Sequence, residues 1–329
     1  MCWDSDIDTL PSPSGSSEAS LDDDDVNCRL KPYWSKYHCL FNARGFHLET
    51  VRDVKAYYCR LQQAPIHHSI ASILETKDGS SRDQELCPDP SLPDNLFRGR
   101  RICDGRPFIV KAVHSHSREH EAIRFLSHSP LRDDPRNHTI PVLDIFECYE
   151  DRVAFLVMEE WSSHLLSDYD PYCLDVFLSV MRQAIEHVAF MHQHRLAHLD
   201  ISIRNLVTNC KGQCAFIDFE LSRKYDSVAN PRIQGYRATE VPPECETREG
   251  CDPFKIDVWA LGVLILRVCK LGGFHVPELL QLTRPMLNDI PEHRPPMHTV
   301  LETYDRMLGP LRQRQRIDYP NNHSNPHVN

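Results

Sequence analysis

The chain has 329 residues, a formal net charge of -10, 41% hydrophobic and 26% charged residues, the balance of a soluble globular protein long enough for one large two-lobed domain or two small ones. The acidity is local, because residues 1–28 hold Asp4, Asp6, Asp8, Glu18 and the run Asp22 to Asp25 with no Lys or Arg. The remainder is nearly balanced, which argues against a nucleic-acid footprint.

In chain order, residues 1–26 read as a disordered acidic tail rich in Ser and Pro. Residues 27–94 form an N-terminal extension. Its first part, to about Lys77, carries the apolar anchors Tyr33, Trp34, Phe41, Phe46, Tyr57 and Tyr58, with room for a first sheet strand. Asp78 to Asp94 is polar and Pro-bearing, a composition that argues against regular structure. Leu96–Cys103 and Pro107–Val113 flank Asp104-Gly105, a two-residue hairpin signal. Ser117–His128 is helical by the spacing of Ala122, Ile123 and Leu126. Val142–Cys148 and Val153–Met158 are two more strands around the turn Glu150-Asp151-Arg152.

The second half is helical. Leu174–His194 sets Phe177, Met181, Ala184, Val188 and Met191 on one stripe. A short strand pair, Asn205–Asn209 and Ala215–Ile217, is joined at Lys211-Gly212, and Asp257–Val268 is apolar nearly all round, as a buried central helix is. Residues 311–329 are polar and predict a flexible tail. Strands first and helices later predict an α+β, two-lobed fold with a small β-rich lobe and a larger helical lobe. No apolar run reaches the roughly 18 residues of a membrane helix, and no signal-peptide pattern opens the chain, so a cytoplasmic or nuclear location is expected.

The thirteen cysteines include no C-x-x-C pair, and the nineteen histidines lack cysteines at ligand spacing, so reduced thiols and no zinc cage are expected. The chemistry concentrates in His198-Leu199-Asp200-Ile201-Ser202-Ile203-Arg204-Asn205, followed by Ile217-Asp218-Phe219. An Asp on a loop after a long helix can take a proton from a hydroxyl nucleophile. An Asn and a second Asp can complete the oxygen shell of Mg²⁺. Upstream, Lys111 interrupts the apolar strand Phe108–Val113, a costly burial unless it is paired.

These stretches resemble the eukaryotic-type protein kinases. The run from Met191 to Asp200 resembles the end of a helix entering the H-R-D catalytic loop, and Asp218-Phe219-Glu220 resembles D-F-G. Phe108–Val113 resembles V-A-I-K. Glu119 and Glu121 are both candidate partners for Lys111, with Glu119 preferred because His128 then falls where kinases often carry a His. Met158-Glu159-Glu160-Trp161 resembles the hinge that holds adenine. Pro242-Pro243-Glu244 resembles A-P-E, with Gly235 to Glu240 as a local competitor; Asp257 to Gly262 resembles D-x-W-x-L-G, and Arg294 resembles the late Arg that pairs with the A-P-E glutamate. The nearest group by resemblance is a set of divergent kinase-like proteins of filamentous fungi, which share a run like Asp252-Pro253-Phe254-Lys255-Ile256-Asp257.

The resemblance covers residues 95–310, with a lobe boundary near 160. It implies ATP and Mg²⁺ as cofactors and a protein substrate, leaning to Ser/Thr hydroxyls. It implies Asp200 as base, Lys111 on the ATP phosphates, Asn205 and Asp218 on the metal, and Glu119, Glu159 and Trp161 at the nucleotide. It leaves His198, Phe219, Glu244, Asp257 and Arg294 structural.

The chain also departs from the pattern. No G-x-G-x-x-G precedes Lys111, the nearby glycines being Gly79, Gly99 and Gly105, so the loop 78–94 would have to cover the phosphates. Leu199 replaces the Arg of H-R-D, which removes the usual receiver of an activation-loop phosphate. Ser202 stands where Ser/Thr kinases usually have Lys, Arg204 where some tyrosine kinases have Arg, and Glu220 replaces the Gly of D-F-G. Two other readings stay open. One is a pseudokinase kept for binding; the other is a small-molecule phosphotransferase of the aminoglycoside or choline type, many of which share H-x-D-x-x-x-x-N and I-D-F-E.

Overall fold

A computed structural model describes residues 26–62, 81–162, 174–209, 211–246 and 250–318. The expected acidic tail, apart from Val26, and the last residues, 319–329, lie outside that set. Among the described residues there are seven α-helices and a five-stranded antiparallel sheet of order β1-β2-β3-β5-β4, with two further two-stranded pairs. The sheet strands are β1 (Phe46–Leu48), β2 (Leu96–Arg101), β3 (Pro107–His114), β4 (Val142–Cys148) and β5 (Val153–Glu159). This is the small β-rich lobe followed by a helical lobe that the sequence predicts.

β3 and β5 are central and buried on both faces, and the period of two divides their side chains between two cores. Phe108, Val110, Ala112, Phe155 and Val157 face outward, while Val113, Ala154 and Leu156 face the helical lobe. The outward face is closed by α1 (Trp34–Ala43), whose Trp34, Tyr37 and Phe41 recur at helical spacing and stack on Phe97, Phe146 and Phe155. Each such aromatic contributes on the order of 1.5–3 kcal/mol by leaving water. Of the anchors seen in the sequence, Trp34, Phe41 and Phe46 enter this core, whereas Tyr33, Tyr57 and Tyr58 are exposed and anchor nothing in it.

The link between β1 and β2 is not a short glycine-rich turn. It spans residues 49–95 and holds α2 (Val51–Gln62), started by Thr50 and Asp53, whose side chains each accept the other's backbone N–H. Its base is closed where Thr50 bridges Leu86 and the Cys87 N–H donates to the Glu49 carbonyl. The stretch 78–94, expected without regular structure, contains a 3₁₀ turn at Ser81–Gln84. Gly99, one of the glycines within reach of Lys111, serves the sheet: a Cβ there would lie 2.3 Å from the Phe108 ring and 2.4 Å from the His47 carbonyl oxygen.

Between the lobes lies α3 (Arg118–Leu126), with Ser117 as its N-cap accepting the His120 N–H. The helical lobe is built on α4 (Leu174–Gln193), α5 (Pro253–Gly272), α6 (Pro277–Met286) and α7 (Met297–Asp318). α5 starts at Asp252, whose carboxylate accepts from the Phe254 and Lys255 N–H groups, with Pro253 at the first helical position. α7 continues through Gly309-Pro310 to Asp318, so the flexible tail expected from 311 begins as helix. Packing along the earlier part of α7, where Val300, Tyr304 and Leu308 enter the main core, outweighs the poor local propensity of that dipeptide. No described helix is long and apolar enough to cross a membrane.

Candidate active site

Alternation along β3 puts Lys111 on the face opposite Phe108 and Val110, toward the helical lobe. Its Nζ lies 2.6 Å from Glu119 Oε2 and 2.9 Å from Asp218 Oδ1, so a strand, a helix and a loop of the other lobe meet at one ammonium. Glu119, not Glu121, is the partner, and Ile123 one turn on enters the same core as Leu156 and Phe219. Burial works against the charge of Lys111, but Glu119 and Asp218 outweigh it and raise its pKa above the ordinary lysine value. Burial likewise favours a neutral Asp218, yet the Lys111 charge and hydrogen bond hold its carboxyl below the usual aspartate range.

Asp218 sits at φ 63 and Leu199 at φ 66, left-handed conformations rare for such residues. They are held by what surrounds them. The His198 and Leu199 N–H groups donate to the two carboxylate oxygens of buried Asp257 at 2.8 Å each, so the central helix α5 fixes the loop from beneath. Phe219 is fully buried against the His198 ring at 4.9 Å. Burial keeps His198 below the usual imidazole range, consistent with its Nδ1 accepting the Asp200 N–H.

Asp200 is half-buried and oriented from two sides. Asn205 Nδ2 donates to its Oδ2 at 2.7 Å and to its carbonyl at 2.9 Å, while the Thr239 N–H donates to its Oδ1 at 3.0 Å. The Ile217 N–H donates to the Asn205 carbonyl, which joins the Asn205 turn to the Asp218 loop. This join comes from the pair β6 (Leu206–Thr208) and β7 (Cys214–Phe216). Ser202 is buried with its hydroxyl unpartnered, and Arg204 is exposed.

β5 ends at Glu159, whose carboxylate accepts from Trp161 Nε1 at 2.9 Å, and the next residue, Glu160, accepts from Arg98 Nε at 2.7 Å. Farther away, fully buried Arg294 forms a bidentate pair with Glu244 at 2.6 and 2.7 Å. The local competitor Glu240 instead pairs with Arg267 at 2.8 Å. Three contacts had no sequence signal: the Thr239 N–H on Asp200, the Tyr236 hydroxyl on the Leu199 carbonyl at 2.7 Å, and Asn27 on α3. Each joins residues far apart in the chain through a backbone group, which no local pattern encodes.

The sequence profile of the family described as Protein kinase domain matches residues 96–275, over half of the chain. Cyclin-dependent kinase G-1 of Oryza sativa subsp. indica is 29% identical over 142 residues, covering 40% of this chain and 20% of that protein. Myosin light chain kinase 3 of Homo sapiens is 26% identical over 222 residues, covering 61% and 25%. The probable serine/threonine-protein kinase KKQ8 of Saccharomyces cerevisiae is 25% identical over 166 residues, covering 45% and 22%. The matched region thus spans a quarter or less of each of these curated relatives.

Proposed function

The chain belongs to the protein kinase family, and from that premise we propose that it transfers the γ-phosphoryl group of ATP to a protein hydroxyl, with Ser or Thr as acceptor. The observation that carries this reading is the meeting of Lys111, Glu119 and Asp218 across the lobes, next to an Asp200 held in place by Asn205 and Thr239. Phosphoryl transfer asks a protein chiefly for positioning and charge neutralisation. The printed name of the yeast relative supports the Ser/Thr acceptor.

In this reading Lys111, kept cationic by its two carboxylates, neutralises phosphate oxygens. Asp200 accepts the proton of the incoming hydroxyl as its oxygen bonds to the γ-phosphorus; the bond from that phosphorus to the bridging oxygen breaks, and ADP leaves with the electron pair. Asp218 offers a carboxylate held ionised, and Asn205, whose Nδ2 is engaged by Asp200, offers its amide oxygen; this hard oxygen pair fits Mg²⁺, which keeps other positions for phosphates and water. Bound there, Mg²⁺ would supply charge neutralisation at the phosphates. The segment from Glu159 to Trp161 is the proposed adenine edge, through its backbone. His198, Phe219, Asp257, Glu244 and Arg294 hold the loops and take no part in the chemistry. The proposed catalytic domain is 95–310, with the extension 27–94 contributing α1 and β1 to its small lobe.

The long β1–β2 link favours one other reading, a fold kept for binding, since its sequence has the single glycine Gly79 in place of a glycine-rich turn. Transfer of labelled γ-phosphate from Mg·ATP decides between them. Wild-type labelling of generic protein substrates, reduced about 10²–10⁴-fold in Asp200→Asn with nucleotide binding retained, supports the kinase reading. Nucleotide binding without labelling supports the pseudokinase, and labelling confined to small alcohols supports a small-molecule phosphotransferase.

A further inference from the structure

The segment before α1 runs beside the Lys111–Glu119 pair. Val26 is buried, and residues Val26–Arg29 lie against Val113, Ser117, Glu119 and Glu220, leaving about 10 Å³ between them, no more than one water. Asn27 Oδ1 accepts the Arg118 N–H at 2.9 Å, from 91 residues away. Arg118 is the first residue of α3, and its N–H is one of the donors a helix start leaves without an internal partner. Ser117 serves the His120 N–H, so α3 is capped twice, once locally and once by the distant segment. The next residue is Glu119.

The same corner holds Glu220. Arg118 Nε donates to the Glu220 carbonyl at 3.3 Å, and Arg29 Nε approaches the Glu220 carboxylate at 4.0 Å. The segment is anchored at its far end by Lys31 on Asp94 at 3.1 Å and by Trp34 Nε1 on the Asp94 carbonyl. Three parts of the site, the start of α3, the loop after Asp218 and the entry to β2, are thus tied by one stretch of chain.

We propose that residues 26–31 are a strap that holds α3 with Glu119 turned toward Lys111, with Asn27 and Arg29 as positioning residues for the phosphate-binding lysine. Asn27 carries most of the effect, because its acceptor meets a helix-end N–H directly. The Arg29–Glu220 contact is long and exposed, so its share is small and screened by salt. Glu220, in this arrangement, is the carboxylate that the strap engages. The effect on turnover rests on the protein kinase reading; the effect on α3 does not.

The test compares full-length wild type with Asn27→Ala and Asn27→Asp. It follows hydrogen exchange of the Arg118–Leu126 amides, the thermal transition, and kcat and KM for Mg·ATP on a generic protein substrate. Loss of a cap is expected to speed exchange in the first turn of α3 about 5-fold and to lower kcat/KM by a similar factor. The thermal midpoint should fall by no more than about 2–4 °C, and Asn27→Asp, which keeps the acceptor and suits a helix start, should restore exchange and kcat/KM. Arg29→Glu should speed exchange further at low salt, with the double variant Arg29→Glu/Glu220→Arg reversing it. Unchanged α3 exchange in Asn27→Ala, or Asn27→Asp behaving as Asn27→Ala, would overturn the strap. A wild type that exchanges as predicted but labels nothing would instead sink the kinase reading and leave the strap standing.

Discussion

Replacing Arg294 with methionine removes a guanidinium that is wholly buried and makes four hydrogen bonds. Two go to Glu244, one to the Asn288 carbonyl at 2.8 Å and one to the Lys255 carbonyl at 3.1 Å. Methionine fills similar volume, so the loss is electrostatic. It takes the buried positive charge from the Glu244 carboxylate, whose side chain is 16% exposed, and removes one donor each from the Asn288 and Lys255 carbonyls. Breaking a buried pair from one side costs about 3–5 kcal/mol, a large part of a total stability of roughly 5–15 kcal/mol. In a domain of this size that shifts the midpoint of thermal unfolding down by about 6–15 °C. Chemical denaturation of Arg294→Met, Glu244→Gln and the double variant measures it. The double variant should cost at least about 2 kcal/mol less than the sum of the singles, because neither charge is then left alone. A loss below about 1 kcal/mol in Arg294→Met, or strict additivity, would refute the reasoning.

Leu199→Arg would drive a guanidinium into the cluster of Ala197, Ile233, Tyr236, Cys251 and Ile256; a stability loss above about 3 kcal/mol is expected in denaturant titration, and wild-type stability would show that the cluster opens to solvent. Gly99→Ala should cost about 1–3 kcal/mol, since the added carbon meets the backbone oxygen of His47 as well as a ring, and an unshifted denaturation midpoint would contradict this. Asp151 tests pH. Hydrogen bonds from Lys36 and then Tyr37 hold its carboxyl near a pKa of about 2, below its unfolded value of about 3.9. Its contribution is therefore present above pH 4 and lost as pH falls toward 2. Exchange at the α1 amides should speed across that window in wild type and show no such step in Asp151→Asn.

The motif-bearing parts of the catalytic region were legible because their signals are local. Asp104-Gly105 marked the β2–β3 hairpin, with Gly105 at φ 69, although the connection covers residues 102–106 rather than two, and the stripe from Phe177 to Met191 set α4. The order of Lys111, Asp200, Asn205 and Asp218 along the chain was enough to bring the resemblance and the two-lobed fold into view. A buried lysine in an apolar strand already required a carboxylate partner.

What the chain pattern left open was decided by tertiary packing. Glu119 and Glu121 lie in the same helical turn, and only the placement of α3 against β3 selects Glu119 for Lys111. Glu240 and Glu244 likewise divide between exposed Arg267 and fully buried Arg294 according to which arginine the fold brings within reach of each. The aromatic residues of 27–58 announced burial but not a destination: Trp34, Tyr37, Phe41 and Phe46 went to the outer face of the sheet, while Tyr33, Tyr57 and Tyr58 stayed exposed. Asn27, Thr239 and Tyr236 act through backbone groups far along the chain, and any residue type supplies such groups. Sequence by itself determined which side chains are the candidates for the chemistry; the fold decided which neighbours hold them, because contacts between distant elements leave no period or spacing to read.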